Sequence, residues 1–369
     1  ASRRWLVMAS DVHVLGDGVA AMMLAARADE LGAQTLSIVR PDGAPAPKDH
    51  MLGFWATPGL EAAAKYTRHS WSTWSVINDD ATASLVCEHQ PYHVMHKAAF
   101  LDRCRASAVK HGVRFVDEAT HADARPQSVF DTRPPRAPEN AMLQHFVGLE
   151  VELDQPAFDP TTAVLMDFRV DQSNGMHFMY VLPFSATTAL VESTMFSTRT
   201  MPRDFYVDAI ETYLFTHHNA GIKTVLREEQ GVIPMGSLSP HDPNIPGLGA
   251  NGGAIRPASG YTFAFIHEQI QTALDDVRKG RALKFKRPHK RIDVWMDGVL
   301  LTVLRHWPHY APNLFTRMAQ GLTGEEFIRF MTGNASWRLR FKVMRAMPKV
   351  PFIRGVSKWM FSRPQKVVQ

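Results

Sequence analysis

Two hydrophobic rhythms divide the chain. "DVHVL" (Asp11 to Leu15) has the apolar density of a buried strand. Apolar positions at helical spacing follow over Val19 to Leu31, with Gly32 placed to end that helix. Thr35 to Val39 reads as a second strand, so the chain opens as βαβ with Gly-Asp-Gly between strand and helix. A helix is predicted over Lys97 to His111, with a strand after it, and "SVFD" is a strand that runs into the Pro-rich break "TRPPRAPEN". From Gln144 to Phe196 the spacing tightens to strands: "HFVGLEVEL", "TAVLMDFRV", "MHFMYVLPF" and "ALVESTMF". Helix returns over Arg203 to His217, and "TVLREEQGVIPM" reads as strand. A Gly-rich loop then leads into a long helix from near Tyr261, and the chain is helical after about Pro288. No internal repeat and no low-complexity segment interrupts this order.

The pattern predicts an α/β fold: a Rossmann-type half built from discontinuous segments, a β-rich insertion and a helical tail. We expect the nucleotide-binding half in residues 1–50, 85–135 and 220–290. The insertion falls in 51–84 and 136–219, and the tail in 291–369. Residue 369 ends a chain that is 45% hydrophobic and 21% charged, which is ordinary for a protein with a sizeable core. A net charge of +5 does not call for nucleic acid, and none is expected as a partner. Two cysteines, Cys87 and Cys104, cannot form a disulfide framework, so a reducing cytosol is expected. There is no apolar run of membrane-spanning length, and the apolar stretch in "ASRRWLVMAS" is too short for a signal peptide.

Charge is uneven in one place. From Arg338 onward Arg340, Lys342, Arg345, Lys349, Arg354, Lys358, Arg363 and Lys366 run without an acidic residue, interleaved with Trp337, Phe341, Met344, Ile353 and Trp359. A solvated basic face is one reading. A helix lying in an anionic lipid interface is the other.

Two loops carry candidate chemistry. Gly16-Asp17-Gly18-Val19-Ala20-Ala21 fits G-x-G-x-x-A: Gly16 for the sharp turn, Gly18 for close approach of a pyrophosphate, Ala21 for close helix–strand packing. Arg40 ends the second strand where an acidic residue usually holds a ribose, a substitution that fits NADP in a nicotinamide enzyme, a ribose held differently or a low dinucleotide affinity. The second loop, "GGAIRPASGYTF", places Gly252, Gly253, Pro257, Ser259, Gly260 and Tyr261 before a helix, where an anion or a plain strand–loop–helix connection fits. The histidines show no metal spacing, and no metal is expected.

Glu192 stands in an apolar strand. Alternation puts Leu190, Glu192 and Thr194 on one face and Val191, Ser193 and Met195 on the other. Read alone, such a glutamate is most simply an exposed strand residue. Asp167 in "LMDFR" is a second acid for the same site or a partner of Arg169. Glu229 in "REEQG" reads as structural or cofactor-proximal.

"FVGLEVELDQPAFDPTTAVLMDFRV", "FMYVLPFSATTALVESTMF", "LREEQGVIPM", "GGAIRPASGYTF" and the tail from "APNLFTRMAQG" to "PFIRG" together resemble the bacterial lycopene cyclase family, in motif order and over nearly the whole chain. The resemblance implies an FAD-binding domain of the glutathione-reductase type. It implies reduced FAD, used without net redox change, with NADPH as possible reductant. The reaction would be proton-initiated closure of the linear end groups of lycopene, most simply to β rings, on a hydrophobic polyene. The protein would sit peripherally on the inner face of the cytoplasmic membrane. Glu192 and Thr194 match the family's Glu-(Glu/Asp)-Thr motif, which makes Glu192 the acid. Ser193 replaces the second acid, and Leu149 stands where many members have Trp. Trp55, Trp74, Phe178 and Tyr180 are candidates to line the polyene channel. An FAD- or NADPH-dependent hydroxylase or reductase on the same fold, and a paralogue that binds polyene without catalysis, are the alternatives. Oligomeric state is not legible.

Overall fold

The computed structural model describes residues 11–44, 49–123 and 126–361. The N-terminal "ASRRWLVMAS" and the basic Arg363 and Lys366 lie outside them. A four-stranded parallel sheet has the order Arg114–Asp117, Thr35–Arg40, Asp11–Leu15, Ser128–Asp131. Its core is Val12, Val14, Leu36 and Ile38 packed with Phe100 and Ile270, from the helices Lys97–Lys110 and Phe263–Arg278. A parallel sheet of this kind is covered by helices, which explains its unbroken apolar strands. The first helix is shorter than its spacing predicts. It runs Val19–Ala25, and a 3₁₀ turn, Ala28–Leu31, replaces the rest. Arg27 leaves helical angles between them, held by its side-chain bond to Glu30 at 2.6 Å.

A seven-stranded sheet forms the second half, in the order Ile222–Pro234, Leu143–Leu153, Thr188–Ser197, Met176–Pro183, Thr162–Asp167, Thr73–Ile77, Thr82–Val86. Its pairings are antiparallel except between Thr162–Asp167 and Thr73–Ile77. The strand Ile222–Pro234 therefore belongs to this large sheet and not to the nucleotide-binding one, because it pairs along Leu143–Leu153. A third, three-stranded sheet joins Met51–Trp55, Tyr92–His96 and His69–Trp71.

Both faces of the large sheet are covered. The helix Arg203–His218 packs on one, with Tyr206, Ile210 and Leu214 against Val147, Val191 and Met195. The other faces the C-terminal helices, where Phe178, Leu190 and Phe196 join a core with Leu304, Phe315 and Phe327. This double cover is why eight successive residues of Thr188–Ser197 are buried and why Glu192 has apolar neighbours in sequence.

Candidate active site

Gly16 turns the first strand out of the sheet with φ +100°, a value that favours glycine. Its N–H donates to Val39 O at 2.8 Å. A side chain there would meet Thr132 Oγ1, whereas the space over Gly18 is open. Ala21 is fully buried where helix meets sheet. Beside this loop a cavity of about 420 Å³ is walled by Asp17, Arg40, Asp42 and Arg105. Arg40 Nη1 donates to Asp17 Oδ2 at 2.9 Å, so the arginine at the strand end is tied to the loop itself. Open space over a glycine, with a cavity at the end of the second strand, fits the phosphate and ribose portions of a dinucleotide.

A second cavity, about 410 Å³, lies between the large sheet, the second glycine loop and the C-terminal helices. Its walls are mostly apolar: Trp55, Phe178, Phe196, Phe315, Phe327 and Met331 among them. Ser259, Gly260 and Tyr261 bring the glycine loop to one side, and Glu192 faces in from the sheet. Glu192 is 8% exposed and accepts a hydrogen bond from Thr194 Oγ1 at 2.6 Å. Burial, and then the charge of Glu229, push its carboxyl up to about 8. At neutral pH it holds a proton.

The strand register explains the rest of the polar set. Glu192 pairs with Gly148 on one side and Tyr180 on the other, and Gly148 pairs in turn with Glu229. Tyr180 Oη lies 2.9 Å from Tyr92 Oη, and burial keeps both phenols protonated, that of Tyr92 pushed up to about 12. Glu229 is buried, takes a hydrogen bond from Met51 N–H at 3.1 Å and pairs with Arg227 Nη2 at 2.6 Å. His50 lines the same cavity, and burial lowers it to about 4, so it is neutral. Arg256 and Asp297 close another side, Arg256 Nε donating to Asp297 Oδ2 at 3.2 Å.

The cavity thus gathers Glu192, Trp55, Phe178, Tyr180, Ser259, Gly260 and Tyr261. Trp74 stands behind Trp55, edge to face at 5.7 Å, as core. Gly252 packs against Gly247 O and Gly253 against Arg287, while Pro257 O accepts Gly236 N–H, so these three shape the loop without lining the cavity. Asp167, expected beside Glu192, is a correction. It is buried on the opposite face, bound by Arg169 Nη2 at 2.6 Å and Tyr213 Oη at 2.8 Å under the helix Arg203–His218. A register shift between Val164 and Asp167 turns Leu165 and Met166 both toward the cavity and Asp167 away. Ser193 is on that far face as well, 2.8 Å from His177 Nε2. Tyr92, His50 and Gln144 were not singled out from sequence, since the first two flank irregular chain with no periodicity to read.

Among solved structures, the fold is similar to a geranylgeranyl bacteriochlorophyll reductase-like protein from Thermoplasma acidophilum, at TM-score 0.60 and 12% identity, covering 95% of this chain and 99% of that one. It is also similar to a flavin-dependent halogenase from Xanthomonas campestris, at TM-score 0.52 and 11% identity, covering 97% and 90%. The fold is that of FAD-dependent oxidoreductases. In sequence, the chain is 26% identical over 203 residues to neoxanthin synthase of Solanum lycopersicum, covering 52% of this chain and 36% of that protein. To lycopene beta-cyclase of Pantoea ananas it is 24% identical over 227 residues, covering 58% and 59%. To the chloroplastic lycopene beta cyclase of an Oncidium hybrid it is 26% identical over 295 residues, covering 69% and 61%. The matched part spans about a third to three-fifths of these relatives' own length. The family model described as lycopene cyclase protein matches residues 11–356, from the first strand of the parallel sheet into the last helix. With glycine loops, fold and motif order in agreement, the chain belongs to the lycopene cyclase family.

Proposed function

We propose that this protein closes the linear end groups of lycopene, or of a related polyene, into rings, β rings foremost, with reduced FAD bound and no net redox change. One observation carries the reading. Glu192 is a proton-holding carboxyl in an apolar cavity whose other side is the second glycine loop.

Ring closure needs a proton added to the terminal double bond of the end group. Glu192 is the donor. The tertiary cation is attacked by the next double bond of the chain, and a ring forms. A second proton then leaves the carbon beside the ring cation, and the Glu192 carboxylate left by the first step accepts it. One proton enters and one leaves, so no electron is consumed. Thr194 Oγ1 steadies the carboxyl in both states. Phe178, Phe196 and Tyr180 offer aromatic faces to the cation, and their apolar bulk excludes the water that would hydrate it. FAD, held on the two glycine loops and reduced at the expense of NADPH, would supply negative charge that stabilises the cation.

The pigment profile of a lycopene-accumulating host tests the reading. The wild-type chain should yield cyclic carotenoids. Glu192→Gln should reduce the yield by about a hundredfold or more while the purified variant keeps its flavin absorbance. Full ring formation by Glu192→Gln, or oxygen and NADPH consumed in proportion to product, would overturn it.

A further inference from the structure

Two buried carboxyls share one face of the large sheet across a single glycine, and Glu192 lines the cavity. Glu229, Gly148 and Glu192 form one row over three strands. A Cβ built on Gly148 would lie 3.2 Å from Glu229 Cγ and 3.5 Å from Glu192 Cβ, so the glycine leaves the acids no intervening side chain. Ionising both would set two like charges on one buried face, and the charge of Glu229 accordingly raises the Glu192 carboxyl.

Their partners differ in kind. Burial raises the Glu229 carboxyl above its ordinary value, and two partners work against that: the Arg227 guanidinium at 2.6 Å and the Met51 N–H at 3.1 Å, both of which favour the ion. Arg227 is anchored by Glu150 at 3.4 Å, and Glu150 by Arg68. Among the described residues, Glu192 has only the Thr194 hydroxyl. We propose that Glu192 and Glu229 share one proton across Gly148, with Glu192 carrying it and Glu229 kept ionised by Arg227. Glu229 is then a positioning residue: it acts through Glu192, by making ionisation of the acid costly. Its catalytic meaning rests on the cyclase reading above.

Other titratable groups face the pair. Tyr92 and Tyr180 stay protonated, His50 is neutral, and the charge of Asp49 lies toward Glu229. None supplies a cation to Glu192.

The test is residue-resolved NMR titration of the purified chain carrying ¹³C-labelled glutamate carboxyls, with Glu192→Gln used to assign the Glu192 signal. In Glu229→Gln the Glu192 carboxyl should titrate lower by on the order of one unit. In Glu229→Asp it should stay near the wild-type position. In Arg227→Gln the pair should hold its proton to higher pH. An unchanged Glu192 titration in Glu229→Gln, or shifts of the same sign in Glu229→Gln and Arg227→Gln, would overturn the proposal. If Glu229→Gln does not fold, the rise in Arg227→Gln decides alone. The titration needs neither polyene nor flavin. A chain inactive on lycopene leaves it standing, and a failed titration leaves the cyclase reading untouched.

Discussion

A single protonated carboxyl carries the chemistry proposed for this fold, and its protonation sets a cost elsewhere. Glu192 has a folded-state value of about 8 against an ordinary 4.5. The folded chain therefore binds this proton more tightly than the unfolded chain. Stability from this group is full below the ordinary value and is lost as pH rises toward 8. The loss is on the order of a few kcal/mol. Glu192→Gln, with no proton to lose, should flatten that decline, so the variant should melt higher than wild type at pH 8 and match it near pH 4. Thermal melts across this range check it. Equal pH dependence in both proteins would contradict the assigned burial. Turnover should also be level below pH 8 and fall above, as the acid ionises. The sequence made Glu192 legible because a carboxyl between apolar strand positions has few bland explanations once its motif is matched. It also made the separation of residues 192 and 193 legible, since alternation alone sends them to opposite faces. What it hid was the partner of Ser193. His177 meets it through a strand pairing sixteen residues away.

At the level of elements, pairing decides which residues can act together. Glu229 and Glu192 belong to strands that are not neighbours, and only the register of both against Leu143–Leu153 brings them into line. No local pattern reports that. Asp167 lies away from the cavity for a related reason, because a register shift in its strand reverses the alternation there, and no local pattern reports such a shift. By contrast, the βαβ opening, the helix at Arg203–His218 and the four central strands followed from periodicity, which is local. Gly148 offers a test at this scale. In Gly148→Ala the new methyl meets the Leu190 Cδ1 tip and Glu229 Cγ, each at 3.2 Å, and both side chains are buried, so each must shift slightly. A strand alanine gains roughly 0.5–1 kcal/mol over glycine, which offsets only part of an overpacking cost of about 1–3 kcal/mol. We expect a folded variant with a modestly lower melting point and turnover about tenfold to a hundredfold lower, since the carboxyls are displaced. Turnover equal to wild type would mean that the row through Gly148 does not set their geometry.

For the whole molecule the remaining question is how a lipid-soluble polyene would reach the cavity, and the C-terminal helices bear on it. No helix among the described residues is long and apolar enough to cross a membrane. The basic tail does not act as one face. Arg340 is buried against Asp293 at 2.7 Å, and Leu339 and Val343 pack inward. The opposite side of Trp337–Ala346 leaves Trp337 68% and Phe341 66% exposed, with Met344 one turn on and Arg338 and Arg345 exposed beside them. Ile353, 69% exposed, and Arg354 extend the mixture along Lys349–Phe361. The preceding helix, Gly324–Met331, lends Phe327, Phe330 and Met331 to the cavity wall. We therefore propose that this surface docks on anionic lipid. Removing the whole tail would expose the Asp293 carboxylate and the core beneath it, so point changes are the sharper test. Trp337→Glu with Phe341→Glu alters exposed side chains; Trp337 also lies 5.7 Å under the Arg340 guanidinium, whose pair with Asp293 stays in place, so the melting curve should shift only slightly. Each ring contributes about 1.5–3 kcal/mol when buried in lipid, so the double variant should bind vesicles at least about tenfold more weakly by sedimentation. Arg345→Glu with Arg354→Glu should weaken binding to anionic vesicles and leave neutral ones unaffected, with the anionic binding also falling as salt is raised. Vesicle binding equal to wild type in the Trp337–Phe341 variant would exclude this face as the docking surface and send the search for a polyene entry to another side of the cavity.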